Sequence, residues 1–97
     1  MSGRLLKAPA AVVDLDNIWD YIAEDNEAAA DKLIDDILET CNLLLQMPRI
    51  GRQRPELGRG VLSFSRGRYL ILYHVVKEGI ELLRVAGPGQ DIEAMFE

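Results

Sequence analysis

Arg68-Tyr69-Leu70-Ile71-Leu72-Tyr73-His74-Val75-Val76 is the stretch that decides how this chain folds. It is rich in β-branched and aromatic residues and holds no Gly or Pro, so it reads as a strand. Strand side chains alternate between faces. Tyr69, Ile71, Tyr73 and Val75 therefore point one way, and Leu70, Leu72, His74 and Val76 the other. Apolar residues on both faces describe a central strand covered on both sides. Residues 61–65 form a strand before it, joined through Arg66-Gly67, and residues 80–86 form one after it, joined through Lys77-Glu78-Gly79. Gly87-Pro88-Gly89 closes the last strand, and Asp91 caps a final helical turn carrying Ile92, Met95 and Phe96.

Upstream, the period changes from two to 3.6. Ala11, Val12, Leu15, Ile18, Trp19 and Ile22 recur at helical spacing and fall in an arc of about 120°, a normal core-facing stripe that leaves Tyr21 outside. Pro9 suits the first turn of this helix, and a brief strand at residues 4–7 precedes it. Asp25-Asn26 breaks the first helix and caps a second over residues 27–46, which stops before Pro48. The second helix is apolar over roughly 180° of its surface, more than one core contact requires. A short link makes the two helices an antiparallel hairpin. Residues 48–60, with two prolines and three glycines, read as a loop. The expectation is one α+β domain over residues 1–97, in the order β-α-α-β-β-β. A two-helix hairpin packs on a small, mainly antiparallel sheet, with a short C-terminal helical turn. The hairpin covers one sheet face. For the other face a partner polypeptide is favoured over the C-terminal segment, since an open apolar patch marks a binding surface.

The 97 residues are 48% hydrophobic and 28% charged, a globular composition. A lone cysteine, Cys41, excludes an internal disulfide and points to a reducing compartment. No run approaches the ~20 apolar residues that span a bilayer, and residues 1–7 lack the features of a signal peptide, so a cytoplasmic protein is expected. The net charge of −5 argues against general nucleic-acid binding. Its distribution is more informative. Residues 1–47 hold ten acids against three cations, whereas residues 48–97 hold six acids against eight cations. Six arginines (Arg49, Arg52, Arg54, Arg59, Arg66 and Arg68) cluster with Glu56 as the only acid among them.

Guanidinium groups bind phosphates and carboxylates through paired hydrogen bonds, so the arginine segment is the candidate contact surface. The plainer reading is a solvated loop paired with the protein's own acids. His74 lies mid-strand without a metal-ligand companion and reads as structural. Cys41 reads as a buried inert thiol, Trp19 as core, and the helix carboxylates as a solvated face. No phosphate-binding glycine motif, nucleophile elbow or metal signature occurs, so no catalytic residue, metal or cofactor is expected.

The order of residues brings in a family. Asp14-Leu15-Asp16-Asn17-Ile18-Trp19-Asp20-Tyr21-Ile22-Ala23-Glu24-Asp25-Asn26 closely resembles the first helix of ParE toxins in the RelE/ParE superfamily. Leu44-Leu45-Gln46-Met47-Pro48-Arg49-Ile50-Gly51-Arg52-Gln53-Arg54-Pro55-Glu56-Leu57-Gly58 resembles that family's helix end and loop. Gly67-Arg68-Tyr69-Leu70-Ile71-Leu72-Tyr73 is similar to its central strand, and Gly79-Ile80-Glu81-Leu82-Leu83-Arg84-Val85 to the next. One segment departs. Where members often carry His-Gly-x-Arg-Asp, this chain has Gly87, Pro88, Gly89, Gln90 and Asp91, without the imidazole and the guanidinium.

The resemblance implies the toxin of a bacterial type II toxin–antitoxin pair. Such a protein acts without enzymatic chemistry by inhibiting DNA gyrase, and a ParD-like antitoxin with a wrapping C-terminal arm neutralises it. The expected target contacts are Arg52, Arg54, Arg59, Arg68 and Arg84. The expected antitoxin contacts, drawn from the surplus apolar faces, are Ile34, Leu38, Leu45, Leu70, Leu72 and Val76. Two alternatives stand beside this reading. One is a RelE-like ribosome-dependent mRNA endonuclease recruiting Arg54, Arg59, Arg68, Arg84, Tyr73 and His74. The other is a toxin-derived binding module that has lost toxicity at Gly87 and Gln90.

Overall fold

The computed structural model describes residues 3–97. Its elements are β1 (Arg4–Lys7), α1 (Pro9–Ala23), α2 (Glu27–Gln46), β2 (Arg52–Gln53), a 3₁₀ turn (Pro55–Leu57), β3 (Leu62–Arg66), β4 (Tyr69–Val76), β5 (Gly79–Ala86) and α3 (Ile92–Met95). The sheet order is β1-β5-β4-β3-β2. All neighbours are antiparallel except β1, which runs parallel to β5 with Arg4 opposite Gly79 and Lys7 opposite Leu82. The sheet is thus the mainly antiparallel one expected, with β4 at its centre.

Local chemistry explains the helix ends. α1 starts with Pro9 in its first turn, where a missing N–H leaves no helical bond unmade. Asn26 accepts a hydrogen bond from the Ala29 N–H at 3.1 Å and caps α2. α2 ends at Met47, held out of helical geometry by Pro48. The two helices are clasped by the Trp19 indole N–H, which donates to Asp31 Oδ1 at 2.7 Å. At the β4–β5 turn, Gly79 passes so close to Arg4 that a Cβ would lie 2.3 Å from its carbonyl oxygen. Only glycine lets β1 dock in this register.

The main core lies between the hairpin and the sheet. Ala11, Leu15, Ile37, Cys41 and Leu44 pack on Leu62, Ile71, Tyr73, Ile80, Leu82 and Val85. Val12, expected in the α1 stripe, is 42% exposed instead. It sits at the stripe's margin, beyond the reach of the sheet.

The opposite sheet face corrects a larger expectation. The chain covers much of it by itself. Leu57 from the 3₁₀ turn and Val61 just before β3, with Ile92, Met95 and Phe96 from the C-terminal turn, pack on Leu70, Leu72, Leu83 and Ala86. Leu72 has no exposed surface and is not available to a partner. The loop over residues 48–60 folds back far enough to bring Leu57 over the face, because the Arg54 N–H bonds the Val61 carbonyl at 2.8 Å and the Leu57 N–H bonds that of Arg54 at 3.0 Å. That same loop also contains the unexpected strand β2, whose two residues pair with Leu62 and Ser63.

Candidate functional site

The arginine segment is anchored by a buried tyrosine. The Tyr73 hydroxyl donates to the Pro48 carbonyl at 2.7 Å and accepts the Gly51 N–H at 3.1 Å. Burial pushes the Tyr73 pKa upward, partly offset by the Gly51 bond. This phenol holds the chain at the exit of α2 on a fixed path. A Cβ at Gly51 would sit 2.5 Å from the hydroxyl oxygen, so the contact requires glycine.

Downstream of this anchor, Arg49, Arg54 and Arg59 surround a cleft of about 420 Å³ together with Gln53, Val61 and His74. The three guanidinium groups differ. Arg54 is committed to the fold, with Nε donating to Ser63 Oγ at 2.8 Å and Nη1 lying 3.5 Å from Glu56 Oε2. Arg49, Arg52 and Arg59 are exposed and, among the described residues, form no ion pair. His74 is paired across the strands with Glu81, its Nε2 lying 2.7 Å from Oε1. Sequence reading gave His74 no partner, because the β4–β5 register that sets Glu81 opposite it is a tertiary fact.

The expected arginines do not form one surface. Arg68 lies at the far end of β4, in the turn from β3, and Arg66 beside it pairs with Asp36 of α2 at 3.4 Å. Arg84 faces inward. Its Nε and Nη2 grip both oxygens of Asp14 at 2.7 and 2.9 Å, while Nη1 donates to the Met95 carbonyl at 2.8 Å. The bond to Asp14 holds the Arg84 pKa above its ordinary value. Asp14 also accepts the Val85 N–H at 2.9 Å. Arg84 therefore ties α1, β5 and the C-terminal turn together, and as a free contact for another molecule it is corrected. Asp14 was legible in one respect. It lies three residues after Ala11 and four before Ile18, on the core face of α1, where a carboxylate requires a partner.

The six apolar residues expected to meet an antitoxin are divided as well. Ile34, Leu38 and Leu45 are half-buried on α2, and Ile34 and Leu45 already pack on the core. Leu70 and Val76 are half-buried on the other side of the sheet. The large apolar side chains that are most exposed are different ones: Val12, Val13, Tyr21, Leu43, Met47 and Ile50.

After β5 the chain makes a tight turn. The Gly87 N–H donates to Gln90 Oε1 at 2.6 Å, and Asp91 then caps α3 through the Glu93 and Ala94 N–H groups. Gly87, Pro88 and Gln90, with Arg68, Tyr69 and α1, border a second cleft of about 640 Å³. Among the described residues, no three His, Cys, Asp or Glu side chains gather to hold a metal ion, and no helix is long and apolar enough to cross a membrane.

A helical hairpin on a five-stranded sheet, with its arginine-bearing loop and C-terminal turn, matches a known family along nearly the whole chain. The profile described as the ParE toxin of the type II toxin–antitoxin system, parDE, matches residues 5–92. The chain belongs to the ParE toxin family. It is 30% identical over 95 residues to Toxin ParE1 of Mycobacterium tuberculosis, covering 96% of this chain and 97% of that protein. It is 29% identical to Toxin ParE3 of Caulobacter vibrioides, covering 97% and 95%. In three dimensions it is similar to the chromosomal ParDE toxin–antitoxin system from P. aeruginosa, with a TM-score of 0.72, 28% identity and coverage of 90% and 97%. It is also similar to the toxin–antitoxin complex RelBE2 from Mycobacterium tuberculosis, with a TM-score of 0.58, 26% identity and coverage of 90% and 99%. As a ParE-family chain it is the toxin of a type II toxin–antitoxin system.

Proposed function

We propose that this ParE-family toxin inhibits DNA gyrase in the cytoplasm by binding rather than by catalysis, and that a ParD-like antitoxin neutralises it. The observation that carries the reading is the fixed arginine surface within a ParE fold. Tyr73 pins the loop from both sides, and Arg49, Arg52 and Arg59 project from it without ion-pair partners among the described residues. Exposed arginines on a preorganised loop bind an acidic or phosphate-bearing surface with little ordering cost. Arg52 and Arg59 on that loop are the target contacts in this reading, with Arg68 at the far end of β4 a separate one, and Ile34, Leu38, Leu45, Leu70 and Val76 are the half-buried apolar contacts open to the antitoxin.

The test is a supercoiling assay with purified protein and gyrase, with and without the antitoxin encoded beside it. Inhibition or cleavage-complex trapping that the antitoxin reverses is expected. Arg52→Glu with Arg59→Glu should weaken inhibition at least tenfold. No effect from a folded, antitoxin-binding protein would overturn the gyrase reading.

A second reading draws on the likeness to RelBE2. His74 borders the same cleft as Arg49 and Arg59, a placement suited to phosphodiester chemistry on mRNA. Cleavage of mRNA on translating ribosomes, lost in His74→Ala, would establish it over the first.

A further inference from the structure

The cleft at the 48–60 loop is built around an arginine that the fold uses only in part. A guanidinium carries five N–H donors. Arg54 directs Nε to Ser63 Oγ at 2.8 Å and Nη1 toward Glu56 Oε2 at 3.5 Å. Ser63 is itself buried, which fixes the guanidinium in place. Among the described residues no buried side-chain nitrogen or oxygen lacks a partner. Nη2, which makes no hydrogen bond, is therefore open to solvent on a side chain that lines the cleft.

The charges around this fixed group have one sign. Arg49, Arg54 and Arg59 line the cleft with Gln53 and His74, and no acid does. The two acids that meet lining side chains are already engaged, Glu56 by Arg54 and Glu81 by His74. A cleft walled by one sign of charge concentrates the field and draws counter-ions. Pro55, Val61 and Val75 add apolar lining, and the volume of about 420 Å³ falls within the range of small-molecule pockets.

Shape and length select the anion. Three guanidinium groups offer more donors than the two oxygens of one carboxylate can accept, and they suit the tetrahedral oxygens of a phosphate. A long polyanion is disfavoured, because nucleic acid binds through many phosphate contacts at once. This chain has a net charge of −5, with ten acids against three cations in residues 1–47. We propose that Arg49, Arg54 and Arg59 together bind one phosphate dianion, free or at the end of a small phosphomonoester whose body packs on Pro55, Val61 and Val75. Arg54 is the preset donor, and the exposed Arg49 and Arg59 supply the rest. Binding of this kind needs neither gyrase nor an antitoxin.

The experiment titrates inorganic phosphate, adenosine 5′-monophosphate and adenosine into the isotope-labelled intact protein at fixed ionic strength, followed by NMR. Phosphate and the nucleotide should shift the amides of residues 52–62 saturably, and adenosine should not. Tighter binding of the nucleotide assigns the site to a phosphomonoester, and equal binding assigns it to the phosphate group alone. Arg49→Gln and Arg59→Gln should each weaken binding about fivefold, through lost charge-assisted hydrogen bonds. Ser63→Ala keeps every charge but releases Arg54 Nε, and should weaken binding about threefold; a purely structural role would lower the melting temperature and leave affinity unchanged, removing Arg54 from the site. Arg68→Gln removes the same charge from an exposed arginine at the far end of β4 and should leave affinity within about twofold. A loss there equal to that of Arg59→Gln would overturn the site in favour of a diffuse field. Absence of saturable shifts, or adenosine binding as well as its monophosphate, would overturn it outright. An oligoribonucleotide without terminal phosphates that binds more tightly than the mononucleotide would replace the small ligand with RNA.

Discussion

The two faces of the sheet share one central strand and are covered in different ways. On one face, helices of 15 and 20 residues bury Ile71 and Tyr73 completely. On the other, a three-residue 3₁₀ turn and a four-residue helix cover Leu70 and Leu72, and of the cluster there only Leu72 is fully buried. Helices this short have little stability of their own and persist only through what they touch. The hairpin face is therefore the part that unfolds last, and the face under the C-terminal turn is the part that opens first.

That contrast can be broken by substitution. Ile37→Ala, in the middle of the hairpin core, should destabilise the protein by about 3–4 kcal/mol in urea unfolding. A loss below about 1 kcal/mol would mean that the hairpin is not the stable half. Arg84→Ala should destabilise by about 2–3 kcal/mol, because it strands the Asp14 carboxylate, 9% exposed, without its cation. A double-mutant cycle with Asp14→Ala isolates the pair, and additivity there would show that the two are not coupled. Phe96→Ala, on the weaker face, should cost about 1 kcal/mol. Its larger effect is local. Amide exchange should accelerate at Leu57 and Met95 while the α2 amides remain protected, and equal acceleration in both places would erase the distinction between the faces.

Much of this contrast was legible in the sequence, and the rest depended on long-range contacts. The strand at residues 68–76, the helical stripe through Leu15 and Ile18, and the stops at Asn26 and Pro48 are local signals, and each element formed near its expected position. β2 was not legible, because two polar residues become a strand only by pairing with Leu62 and Ser63. Leu72 was misread because alternation reveals that a face is apolar without revealing what covers it. Arg84 and Asp14, 70 residues apart, were read as surface charges because nothing in either neighbourhood names the other. In the candidate site, the arginines of the 48–60 loop were legible as a cluster, whereas the separation of Arg68 from them follows from the length of β4.

Near neutral pH the smallest expected effect is that of titration, and it belongs to the stable face. Burial pushes the Cys41 thiol pKa up from its ordinary value to about 11. The neutral thiol is favoured in the folded state, so its contribution is complete below pH 9 and is lost as pH rises from about 9 toward 11. At pH 8 the native thiol should be unreactive to a disulfide reagent that labels the unfolded chain at once. Cys41→Ala should remove the part of the alkaline stability loss that comes from this group, and an unchanged slope would exclude Cys41 as its source.

The parallel pairing of β1 with β5 also bears on the order in which the chain is made. Residues 4–7 leave the ribosome well before their partner, residues 79–82, has been synthesised. Until then the N-terminal strand has no neighbour, Asp14 lacks Arg84, and the central strand lacks one of its two flanks. Contacts this distant in sequence form late and slowly. Synthesis stopped short of residue 79 leaves a helical hairpin with an apolar face and no finished sheet, so the active shape arrives only once β5 has emerged.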